Sequence, residues 1–84
     1  MNASYPRDVK YRYLVAVTQQ GRISHVNGAW IGAVEPTEPN AIDTCPELYD
    51  YLDQMGDQGW RLVTSTPLGN QGQVSNLFLE RAEA

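Results

Sequence analysis

Eighty-four residues, 42% hydrophobic and 19% charged, suffice for one domain with one modest core. A net charge of −4 argues against general nucleic-acid binding. No apolar run approaches the ~20 residues that span a membrane, so no membrane association is expected, and a single cysteine excludes an internal disulfide framework.

Residues 1–8 read as a loose leader, and MNASYPRDVK lacks the apolar centre of a signal peptide. With one cysteine, the expected compartment is a reducing cytosol. Val9–Thr18 alternates, with Val9, Tyr11, Tyr13, Val15 and Val17 on one face and Lys10, Arg12, Leu14, Ala16 and Thr18 on the other. That is a strand with one core side. Gln19-Gln20-Gly21-Arg22 suits a hairpin loop. Residues 23–34 are rich in strand formers but contain Asn27-Gly28, a type I′ turn signal. They form either one bulged strand or two short ones, and the single bulged strand is favoured. A Pro-rich loop, EPTEPN at 35–40, follows.

Residues 44–59 carry the strongest local signal. Thr44 and Glu47 have the spacing of a capping box, and Pro46 would fall in the first helical turn. Leu48, Tyr51, Leu52 and Met55 follow i, i+3, i+4, i+7, one buried stripe. Glu47, Asp50, Asp53, Gln54 and Asp57 lie off it. Gly59 suits a left-handed helix stop, with Trp60 folding back on Met55. Gly56, inside the last turn, implies a helix backbone close to the sheet. Trp60–Thr66 then reads as the third strand, residues 67–72 as a mobile hairpin loop, Val74–Arg81 as the last strand, and 82–84 as a tail.

L-x-x-M-G-x-x-G-W-x-L-V, from Leu52 to Val63, resembles the signature of a small bacterial and phage family, the domain of unknown function 4177. The resemblance implies a strand, this helix and two further strands, with Tyr11–Val17 first and Leu77–Arg81 last. It departs from the usual family pattern at Arg61, where glutamate is common, and in the long segment before the helix. It implies a fold and no catalytic residue.

The expected architecture is therefore α+β, ββαββ, with a four-stranded antiparallel sheet and one helix on one face. One helix leaves the other face open. If the odd residues of the first strand, Trp60 and Leu62, and Leu77 and Leu79 face the helix, then Leu14, Val63 and Phe78 form an open apolar patch rimmed by Arg12, Arg61 and Glu80. Such a patch marks an interface.

Chemistry is sparse. One histidine, His25, and one cysteine, Cys45, do not make a metal site, and no cofactor is expected. A Cys45–His25 nucleophile pair rests only on the thiol's place at a helix start, against the plainer reading of a small, partly buried residue. Asp50, Asp53 and Asp57 at helical spacing form a solvated face rather than a cation loop. GNQGQ at 69–73 joins two strands and opens no helix, so it is not a phosphate cradle. Seven carboxylates and no Lys or Arg lie between Ile23 and Trp60, an acidic surface suited at most to a basic partner.

The expected function is a non-catalytic, homo-oligomeric interaction module. The alternative is a protein that sequesters a small anionic, nucleotide-like signal at a subunit interface. Arg12, Arg22, Arg61, His25 and Trp30 would then supply phosphate contacts and base stacking.

Overall fold

The computed structural model describes residues 9–69 and 74–83. The leader at 1–8, residues 70–72 of the 67–72 loop and the last residue of the tail lie outside them. The strands are β1 (Lys10–Gln19), β2 (Arg22–Val26), β3 (Ala29–Trp30), β4 (Arg61–Leu68) and β5 (Val74–Glu83), and α1 (Leu48–Asp57) is the α-helix. The fold is α+β with an antiparallel sheet, as expected, but the sheet has five strands in the order β3-β2-β1-β5-β4.

The extra strand comes from residues 23–34, where the favoured single bulged strand is overturned. Asn27 (φ 50°) and Gly28 (φ 85°) both turn left-handed and reverse the chain, so β3 folds back on β2 with His25 opposite Trp30. Ile31–Val34 belongs to no strand. A bulge does occur nearby, within β2, where the register with β1 shifts between Val17 and Thr18.

The β1–β5 pair forms the spine, with ten unbroken residue pairs from Lys10↔Glu83 to Gln19↔Val74. β2 flanks only Ala16–Gln19 of β1, and β4 flanks β5 only up to Glu80. Among the described residues the far end of the spine, Lys10–Arg12 with Arg81–Glu83, therefore projects as a two-stranded ribbon. Ala82 and Glu83, expected in the tail, are part of it.

The helix starts later than expected and differently. Thr44 ends a short 3-10 turn, Ala41–Thr44; its hydroxyl donates to the Ala41 carbonyl at 2.6 Å and accepts the Ala33 N–H at 2.9 Å. No capping box forms. Glu47 is the N-cap of α1 and makes no side-chain cap bond. Residues 46–48 instead lie along the β2 edge. The Ile23 N–H donates to the Pro46 carbonyl, and the Leu48 N–H to that of Gly21, both at 2.9 Å. The demand of an otherwise unpaired edge for hydrogen bonds outweighs the local cap.

The rest of the helix follows its sequence pattern. Tyr51 is buried, and Leu48, Leu52 and Met55 pack beside it on Ala16, Ile23, Leu77 and Leu79. Gly59 (φ 90°) ends it, and the Trp60 N–H donates back to the Met55 carbonyl at 2.9 Å. Gly56 does not mark close approach to the sheet: an added Cβ there would meet nothing within 4 Å.

The phase of β1 is the largest correction. Ala16 is fully buried and Leu14 packs on the core, whereas Tyr11 and Tyr13 are 48% and 65% exposed. The even residues face the helix. The pairs Leu14↔Leu79 and Ala16↔Leu77 put four of these side chains on one face, as expected for Leu77 and Leu79. Alanine at 16 is sealed in the core cluster that includes Tyr51 of α1. The more apolar odd set is left on the other side.

Candidate interaction surface

Register assigns the side of the sheet away from α1. β1 supplies Tyr11, Tyr13, Val15 and Val17, with Val15 opposite Phe78, Tyr13 opposite Glu80, and Val17 between Asn76 and His25. Val15, Val17 and Phe78 are half-buried. Among the described residues no helix covers this stripe. β4 extends it with Thr64 beside Phe78 and Thr66 beside Asn76.

The expected patch of Leu14, Val63 and Phe78 is not gathered. Leu14 lies on the helix side and Phe78 on the open side. Val63 is 51% exposed at a bulge in β4, where the register with β5 shifts between Leu62 and Thr64. The tyrosines that take Leu14's place were missed because alternation names two faces without saying which one meets the helix.

The residues considered for an anionic ligand are dispersed. Arg12 sits on the projecting ribbon in an ion pair with Glu83. Arg22 is the first residue of β2, opposite Gln19 at the other end of β1, its Nη1 donating to the Cys45 carbonyl at 2.8 Å with Glu47 nearby. Arg61 donates from Nε and Nη2 to one Glu80 oxygen at 2.8 and 2.6 Å. Each arginine is occupied by a carboxylate or a carbonyl. Only His25 and Trp30 come together, edge to face with ring centroids 5.6 Å apart. Trp30 is anchored by Nε1–H donating to the Val34 carbonyl at 2.7 Å.

His25 is engaged on its other side too. Nδ1 lies 2.9 Å from Ser24 Oγ, and Ser24, fully buried, donates to the Val17 carbonyl at 3.3 Å. The Ser24 hydroxyl thus links the His25 ring to the bulge. Cys45 is not in the first helical turn. It follows the 3-10 turn with extended backbone (φ −84°, ψ 150°), before α1 begins. Burial pushes its thiol pKa up, against a smaller lowering by Arg22. A reactive thiolate needs the reverse. No hydrogen bond joins Cys45 and His25 among the described residues. Nor do three or more His, Cys, Asp or Glu side chains there group as metal ligands.

No family model, no curated protein and no solved structure matches the chain. Among the described residues no helix is long and apolar enough to cross a membrane. The surface must therefore be read from its own geometry, and its distinguishing feature is aromatic and aliphatic side chains on an uncovered sheet.

Proposed function

We propose that this protein is a non-catalytic module that works by associating with copies of itself through the uncovered side of its sheet. The observation that carries the reading is the phase of β1. It places Tyr11, Tyr13, Val15 and Val17, with Phe78, outside the single-helix core. A contiguous apolar stripe on a small sheet marks an interface, and a two-fold needs only a patch complementary to itself. The likeness of residues 52–63 to the domain of unknown function 4177 fits such a module and adds no chemistry.

Size-exclusion chromatography with light scattering tests it. Wild type is expected to run as an oligomer at high micromolar concentration, and Tyr13→Glu as a monomer. A monomeric wild type under those conditions overturns the reading.

The second reading, capture of a small anionic ligand at a subunit interface, is favoured by the half-exposed His25–Trp30 pair, an aromatic wall to stack on. It has to recruit arginines already paired. Native mass spectrometry of protein purified from cells would show a retained anion, and its absence from the intact oligomer would leave self-association alone.

A further inference from the structure

We infer that the second copy docks by strand addition. The Lys10–Leu14 edge of β1 pairs antiparallel with the same edge of its partner, about a two-fold through Arg12. This deepens the proposed self-association and rests on it.

The backbone sets the polarity of that edge. The Val15 N–H donates to Asn27 Oδ1 at 2.9 Å, and the Val15 carbonyl accepts the Asn27 N–H at 2.8 Å. Both Val15 groups thus point toward β2. Along a regular antiparallel strand these directions alternate, so the N–H and C=O of Tyr13 and Tyr11 point the same way, where β2 has ended. Among the described residues no strand meets them. They form a hydrogen-bonding edge two residues long in register, closed at its inner end by Asn27.

The outer strand β4 and the unflanked stretch of β1 differ in how they are protected. β4 is bulged at Val63, and Pro67 removes one N–H from it. The β1 edge has no bulge in ten residues and no proline. Its cations are the remaining deterrent, and Arg12 is held by Glu83, which also lies opposite Lys10. With Arg12 on the axis, Tyr11 faces the partner's Tyr13 and Tyr13 the partner's Tyr11, each pair exchanging two backbone hydrogen bonds. Lys10 then faces the partner's Leu14 rather than a cation. A shift that moved the axis to Tyr13 would set Tyr11 against Val15, whose groups Asn27 already occupies.

The tyrosines extend the open-face stripe across the axis. Covering most of their exposed surface, with the backbone edge between them, hides roughly 500 Å² per copy, or about 1,000 Å² in all, the lower bound of a specific but weak interface. A second copy fits this edge because it supplies the same free groups, the same aromatic pair and a neutralised arginine at one spacing.

Amide hydrogen exchange on the native protein tests the geometry without a variant. The Tyr11 and Tyr13 amides are expected to exchange at least tenfold more slowly at high than at low micromolar concentration. In a Cys45→Ala background, Arg12→Cys should form a disulfide-linked dimer under mild oxidation, since a non-hydrogen-bonded pair holds Cα atoms about 4.5 Å apart. If wild type is a dimer but those amides stay unprotected and Arg12→Cys does not cross-link, the copies stack face to face. Strand addition is then overturned while self-association stands. A monomer at every concentration overturns both, and concentration-independent exchange at the edge with capture of an added extended peptide assigns the edge to a different partner.

Discussion

The two sides of this sheet are built from the same strands yet answer to different forces. On the helix side, Ala16, Ile23, Leu77 and Leu79 are all but sealed under Tyr51, and burial there supplies the folding energy. On the other side the β1 residues are bulkier and more apolar, yet Tyr11 and Tyr13 stay about half exposed or more. Size and hydrophobicity alone therefore do not decide which face becomes core. Position under a ten-residue helix does.

Cutting one side chain from each face separates the two sides most directly. Leu79→Ala, at 1% exposure, should cost about 2–5 kcal/mol in urea unfolding. Tyr13→Ala should change monomer stability by less than about 0.5 kcal/mol. Equal losses would mean that the open face is sealed by something within one chain. Trp60→Ala comes next, at about 2 kcal/mol, because the ring is half-buried on the core and carries the Arg81 guanidinium 4.6 Å from its centroid. Thermal melting reads this as a fall of several degrees, and an unchanged midpoint would make the return to Met55 incidental.

Gly32→Ala strains the loop at the sheet's margin. Its Cβ would lie 2.5 Å from Trp30 Cζ2 and 2.8 Å from Thr44 Oγ1, so the loop must shift at a cost of about 1–3 kcal/mol. A change in tryptophan fluorescence should accompany it.

A smaller effect is alkaline. Burial raises the pKa of both Cys45 and Tyr51, so the folded state holds those protons more tightly than the unfolded chain. Their contribution to stability is whole below the ordinary thiol value of 9.0 and falls as pH rises past it toward the folded-state values. Cys45→Ala should flatten the loss just above that pH, leaving the tyrosine part; an unchanged slope would show a solvated thiol. The smallest effect is Arg61→Ala. Its guanidinium is 76% exposed despite the Glu80 pair, and the loss should stay within about 1 kcal/mol and shrink in salt.

Local features were legible where neighbours in sequence are also partners in space. The stripe Leu48–Met55, the Gly59 stop and the Gln20-Gly21 and Asn27-Gly28 turns depend on a few consecutive residues, whose backbone preferences act before any distant contact forms. Even so, Asn27-Gly28 was passed over for a longer strand, though Asn27 and Gly28 are the residue types that tolerate the left-handed pair. The capping box was misread for the opposite reason. Thr44 had the right spacing, but Ala33 and Ala41 claimed its hydroxyl from outside the four-residue window.

Tertiary structure alone decided the strand order, the side of β1 that faces α1, and hence the surface left for a partner. Alternation fixes a period and leaves its phase free, because a strand with apolar residues in both registers can present either one. Here the choice falls to the pairs Leu14↔Leu79 and Ala16↔Leu77, more than sixty residues apart, and to where a short helix can settle between two hairpins.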